Sequence, residues 1–180
     1  MTGAALGFAA VPTPPTVLLG PGASGTAASM RPYVSGLERR GIAARGIDLP
    51  RGRAERAVPV YAGLIADAPG DFVIGGQSFG GRVASMVAAA TPPRGLVLLC
   101  YPLHLPGHSE ELRTDHWPDI ACPVLLLSGE ADPRARIDLL RDSVKLLKRA
   151  TLHTYPGVGH GLAPVIDDAV ERIAEFVRAL

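Results

Sequence analysis

Apolar residues in this chain follow two alternating rhythms. Apolar runs of strand type lie at 16–19, 72–74, 95–101 and 123–127, with a poorer strand candidate at 42–47 and a last one of alternating character at 151–155. Between them, apolar residues recur at helical spacing. Met30, Val34 and Leu37 mark a helix from about Ser29, with Pro32 in its first turn and Gly41 as its stop. A second helix is expected over 53–67, where Pro59 kinks it or marks its true start. Val83, Met86, Val87 and Ala90 mark a third, and Ile137, Leu140, Val144 and Leu147 a fourth. The last starts near Pro164 and carries Ile166, Ala169, Val170, Ile173, Phe176 and Val177 on one stripe. The segment 102–119 has neither period and reads as a long surface loop with one helical turn.

Strands that alternate with helices imply a parallel sheet covered on both faces, an α/β architecture. In such sheets a ligand sits beyond the carboxyl ends of the strands. No internal repeat or linker divides the chain. Residues 15–180 read as one domain, preceded by a flexible arm over 1–14.

Composition narrows the picture. The chain has 180 residues, with Lys+Arg 18 against Asp+Glu 17, so charge gives no argument for a nucleic-acid or membrane partner. Clusters such as Arg51 to Arg56 read as solvated surface. The first 30 residues carry no charged side chain, yet Pro12, Pro14, Pro15 and Pro21 interrupt any span of the ~20 residues a bilayer needs. A basic signal-peptide start is missing as well. Cys100 and Cys122 flank apolar runs and read as buried small hydrophobes, which fits a reducing cytoplasm.

The chemistry starts at Gly76-Gln77-Ser78-Phe79-Gly80, a G-x-S-x-G match placed between a strand and a helix. A serine at the tip of so sharp a turn needs glycines two before and two after, because strand and helix approach closely there. The turn lifts the hydroxyl clear of the sheet and aims the helix N-terminus, with the Phe79 N–H, at whatever binds. Beyond the strand at 123–127 comes Ser128-Gly129-Glu130-Ala131-Asp132-Pro133, and beyond 151–155 comes Pro156-Gly157-Val158-Gly159-His160-Gly161. A serine, an acid and a histidine therefore share one sheet edge, in the order Ser78, Asp132, His160.

Each type has a reason. A serine hydroxyl is a weak nucleophile, a neutral imidazole can take its proton, and a carboxylate fixes the imidazole tautomer. Glu130 is the rival acid. After the first strand, Gly22-Ala23 offers a second N–H for an acyl oxyanion, with Ala23 the candidate donor. Gly22, Gln77, Tyr101 and His104 are candidate pocket residues, the last two because they end the strand beside that of the serine. His104, His108 and His116 lack a tight ligand spacing with acids or cysteines, so no metal and no cofactor is assigned.

The stretches GGQSFGGRVAS, LLCYPLHLPG, PVLLLSG followed by Asp132-Pro133, and GVGHG resemble the small dienelactone-hydrolase-like α/β-hydrolases. The branch is the one that includes the testis-expressed hydrolase-like proteins and a subunit of the nuclear NSL histone-acetyltransferase complex. Tyr101-Pro102-Leu103-His104 is its most specific motif, and the resemblance runs from Thr16 to the C-terminus. It implies a minimal α/β-hydrolase fold without a large cap and with strand order 2-1-3-4-5-6. It also implies Ser78 as nucleophile, Asp132 as acid and His160 as base. The chain departs from the family at Pro21-Gly22, where His-Gly is usual. It departs from true dienelactone hydrolases in carrying Ser78 where they use a cysteine.

Two functions follow. One is a cytoplasmic serine hydrolase acting on a small ester-like or thioester substrate, with the 102–119 loop as its one cover. The other is a catalytically silent binding or scaffolding module built on the same core. An intact serine, acid and histidine favour the first. The oligomeric state is left open.

Overall fold

The structure is a computed structural model and describes residues 14–180. The expected arm over 1–14 lies outside the described residues except for Pro14. Six strands form one sheet: β1 (Thr16–Gly20), β2 (Ala44–Gly46), β3 (Phe72–Gln77), β4 (Gly95–Leu99), β5 (Val124–Gly129) and β6 (Ala150–Tyr155). Their order is β2-β1-β3-β4-β5-β6, and every pairing is parallel. This is the minimal α/β-hydrolase topology that the resemblance implied, with no large cap.

Alternation along each strand sends neighbours to opposite faces. Val17, Leu19, Val97, Leu99, Leu125 and Leu127 meet Leu37, Val170, Ile173 and Val177, from helices α1 (Arg31–Glu38) and α5 (Ile166–Arg178). Leu18, Ile74, Leu96, Leu98, Val124 and Leu126 meet Tyr61, Val83, Val87 and Leu140 on the other face. Those come from α2 (Ala54–Gly63), α3 (Phe79–Ala90) and α4 (Ile137–Ser143). Strands β4 and β5 are buried throughout, which is why their segments read as continuous apolar runs. In α5 the first turn carries Asp167 and Asp168 and the last carries Arg178, each sign matched to its end of the helix dipole.

Several boundaries differ from the sequence expectation. Pro59 neither starts α2 nor ends it, but lies inside the helix on its exposed side. The carbonyl of Glu55, which loses its N–H partner there, is on that solvent side. The weak 42–47 segment shrinks to the three residues of β2. The 95–101 run leaves the sheet at Leu99, because Cys100 takes a left-handed φ of 47°. The helical turn inside the long loop is Trp117–Asp119.

A tyrosine stitches the strands below the serine turn. The Tyr61 hydroxyl accepts the Gly75 N–H at 2.9 Å and shares its proton between Leu18 O at 2.7 Å and Gly75 O at 2.8 Å. Burial raises its pKa far above the usual phenol value, so it stays protonated and able to donate.

Candidate active site

Ser78 stands at the β3–α3 turn with φ 50° and ψ −109°, a conformation that costs energy for any residue with a side chain. Backbone contacts hold it there. Its N–H donates to Leu99 O at 2.8 Å, and the Gly80 N–H donates to Pro21 O at 2.9 Å. A Cβ on Gly76 would lie 2.3 Å from Gly20 O, and one on Gly80 would lie 2.2 Å from the same atom. The two motif glycines are thus required by the end of β1 as well as by the approach of α3 to β3.

The acid and the histidine are brought together by a second close approach. A Cβ on Gly129 would meet Val158 O at 2.1 Å and Gly159 O at 2.5 Å. Without one, the loop after β6 lies against the end of β5. Ala131 N–H donates to Val158 O at 2.9 Å and Glu130 N–H to Tyr155 O at 3.0 Å. Asp132 then reaches His160: its Oδ2 lies 2.7 Å from Nδ1, while Oδ1 accepts the Arg134 N–H at 2.8 Å. The Asp132 side chain is fully buried. Glu130 points elsewhere, accepting from Arg141 at 3.0 Å and Thr154 at 2.7 Å.

His160 Nε2 lies 2.8 Å from Ser78 Oγ. The network fixes the tautomer. An ionised carboxylate can only accept, so Nδ1 carries the hydrogen and Nε2 presents a lone pair to the serine hydroxyl. Serine, imidazole and carboxylate form one continuous line, a geometry in which the hydroxyl can lose its proton as it attacks a carbonyl.

Beside this line is a cavity of about 330 Å³, lined by Gly22, Ala23, Ser24, Gln77, Ser78, Phe79, Arg82, Pro102, Arg113, Arg134 and His160. Among the described residues, neither the Phe79 N–H nor the Ala23 N–H has a hydrogen-bond partner. Phe79 is the first residue of α3, so its N–H adds to the positive end of that helix. Ala23 lies in a turn closed by Gly25 N–H donating to Gly22 O at 2.9 Å.

Tyr101 and His104 do not line this cavity, contrary to the expectation from their position after β4. Both are about 2 % exposed. Tyr101 sits edge-on to Trp117 and donates to Arg113 O at 2.6 Å. His104 Nδ1 donates to Leu105 O at 2.8 Å and Nε2 accepts the Arg136 N–H at 3.1 Å. In their place stand Arg82, Arg113 and Arg134, which the sequence reading passed over. Arg82 could have been found, since it follows Ser78 by one helical turn.

The loop histidines do not gather. His116 Nε2 lies 2.8 Å from Ser85 Oγ in α3. His108 is exposed near Glu110 and Glu111, a surface trio of a kind common without an ion. Both cysteines are buried and free. Burial, then the nearby Asp132 carboxylate, push the Cys100 thiol up to about 12, and burial pushes Cys122 up to about 11. Neither is a ready nucleophile.

A family model described as an alpha/beta hydrolase domain matches residues 20–179. The chain belongs to the alpha/beta hydrolase family. Solved structures of this fold superpose on it at low identity. Est1E from Butyrivibrio proteoclasticus, determined with ferulic acid bound, gives a TM-score of 0.76 at 16% identity, covering 92% of this chain and 88% of that one. A monoacylglycerol lipase from Paleococcus ferrophilus gives 0.77 at 16% identity, covering 91% and 94%. In sequence, a non-heme chloroperoxidase from Burkholderia pyrrocinia is 40% identical over 73 residues, which is 39% of this chain and 26% of that protein. No helix among the described residues is long and apolar enough to cross a membrane.

Proposed function

We propose that this protein is a serine hydrolase that cleaves small carboxylic esters or thioesters through an acyl-enzyme. The observation that carries the reading is the unbroken line from Ser78 Oγ to His160 Nε2 at 2.8 Å and from His160 Nδ1 to Asp132 Oδ2 at 2.7 Å, opening on a cavity. Ser78 Oγ attacks the substrate carbonyl carbon while its proton passes to His160 Nε2. Asp132 steadies the imidazolium. The carbonyl oxygen becomes an oxyanion and takes the Phe79 and Ala23 N–H groups as donors. Collapse breaks the bond to the leaving alcohol or thiol, which leaves with the proton from Nε2. Water then repeats the sequence on the acyl-serine and releases the acid.

The cavity size favours small acyl groups, because about 330 Å³ is at the lower end of ligand sites. A place in the dienelactone-hydrolase-like branch is part of the proposal, supported by GGQSFGGRVAS and by Tyr101-Pro102-Leu103-His104. So is a cytoplasmic location, with which two free buried cysteines fit. The test is labelling with a fluorophosphonate followed by peptide mapping. A covalent adduct on Ser78 is expected. Folded protein that takes no label would replace this reading with the scaffold alternative.

A further inference from the structure

Three arginines line the cavity beside Ser78. Arg82 comes from α3, Arg113 from the 102–119 segment and Arg134 from the loop after Asp132. All three are half-buried. Carboxylates answer them poorly. Arg82 meets Glu55 at 3.3 Å, and that glutamate side chain is 57% exposed. Among the described residues Arg113 and Arg134 form no ion pair within 4 Å. Glu111 is near Arg113 without pairing to it, and Asp132 is already taken by His160 and the Arg134 N–H. Burial first, then Arg82 and Arg134, act against the charge on Arg113, with Tyr101 and Glu111 as its counterweights. Like charges gathered around a half-dry cavity repel each other until something anionic enters.

The cluster is also fixed in place from behind. Tyr101 donates its hydroxyl to Arg113 O at 2.6 Å, and Leu103 O accepts the Arg113 N–H at 2.9 Å. His104 N–H donates to Arg134 O at 3.0 Å, and His104 Nε2 accepts the Arg136 N–H at 3.1 Å. So the Tyr101-Pro102-Leu103-His104 stretch, whose two polar side chains miss the cavity, anchors the backbones of both unpaired arginines.

We propose that the Ser78 cavity takes an ester or thioester whose non-reacting end carries an oxyanion, carboxylate or phosphate, held by Arg113 and Arg134 with Arg82 alongside. This rests on the hydrolase reading and narrows its substrate. A guanidinium fork matches either oxyanion with two parallel N–H donors, which a point charge cannot do. A neutral ester of the same length leaves those donors unpaired in the cavity, so discrimination comes from the site as well as from the ligand.

Binding is separated from turnover by using the Ser78→Ala protein. Calorimetry compares ethyl hydrogen succinate with diethyl succinate, and acetylglycerol phosphate with acetylglycerol. The charged member of at least one pair should bind about tenfold or more tighter. Which pair does so distinguishes a carboxylate from a phosphate. Adding Arg113→Gln or Arg134→Gln should cut the preference about tenfold, and Arg113→Lys should restore part of it. Higher salt should shrink it. Equal binding within both pairs, or a preference that survives both glutamine variants, overturns the inference. Failure of the hydrolase reading looks different: Ser78 takes no fluorophosphonate and neither ester is turned over, while the preference in the Ser78→Ala protein can still be read.

Discussion

Two serine–histidine pairs are built on α3, one at its N-cap and one inside the helix, with the same separation. Ser78 Oγ is 2.8 Å from His160 Nε2, and Ser85 Oγ is 2.8 Å from His116 Nε2. Distance alone does not tell them apart; their surroundings do. The Ser85 hydroxyl donates to Arg82 O at 2.8 Å inside a regular helix and has no exposed surface. Its oxygen therefore accepts from His116, which runs the proton the wrong way for a base. His116 has Asp115 and Asp119 nearby, but among the described residues no carboxylate is hydrogen-bonded to its ring. Ser78 is the reverse on each count: strained backbone, an open cavity, and a histidine backed by buried Asp132. A nucleophile is defined by where its proton can go.

The largest effect should separate the two serines. Ser78→Ala and His160→Ala should each lower hydrolysis of a short activated ester on the order of 10⁴-fold or more, and the double variant should lose little further. Ser85→Ala should change the rate by a few-fold at most. Steady-state kinetics on the four proteins decides it. Comparable losses at Ser85 and Ser78 would mean that the two serines do not differ in reactivity.

Next comes the carboxylate that only one pair possesses. Asp132→Asn should cost on the order of 10³–10⁴-fold in kcat, because the amide cannot hold the tautomer that leaves Nε2 free. Glu130→Gln, at a carboxylate hydrogen-bonded to Arg141 and Thr154, should stay within a few-fold of the parent. A glutamine at 130 that is as damaging as an asparagine at 132 would hand the role to Glu130.

A third test falls on the strained turn itself. Gly80→Ala would press a methyl group to within 2.2 Å of Gly20 O, where backbone meets backbone and neither side can move cheaply. A loss of about 3 kcal/mol in stability is expected by denaturant unfolding. Ser85→Ala, in the middle of the same helix, substitutes the better helix former and should cost far less. Near-parental stability for Gly80→Ala would mean that the close approach to β1 does not hold the serine in place.

These contrasts mark what the sequence makes legible. The strands were readable because β4 and β5 are buried on both faces and hence apolar without a break. The meeting of Ser78, Asp132 and His160 was readable because parallel strands end at one edge, so their following loops must converge. Side-chain destinations past a strand end were not. Tyr101 and His104 sit one and four residues after Cys100, and the left-handed turn at Cys100 takes them under the cavity instead of into it. Arg113 reaches the cavity only through a loop without periodicity. Gly20 and Gly129 looked like ordinary glycines, because the atoms that crowd them, from Leu49 and Gly80 in one case and from Val158 and Gly159 in the other, come from distant parts of the chain.

The smallest expected effect concerns the pair that is not a base. Burial first, then Arg82, lower the pKa of His116 from 6.5, with Asp115 and Asp119 opposing. A histidine whose folded pKa is depressed binds protons more readily when unfolded. Its contribution to stability is thus complete above about pH 6.5 and fades as pH falls through the lower, folded value. The sign is the same for the local geometry, since a charged His116 would face Arg82. His116→Gln should flatten this part of the stability profile and lose about 1 kcal/mol near neutral pH, the scale of one hydrogen bond. Unfolding curves at several pH values between 5 and 8 measure both. If the parent and His116→Gln keep the same pH slope, the imidazole does not titrate against folding. The Ser85–His116 bond would then be a fastening of the 102–119 segment to α3 and nothing more.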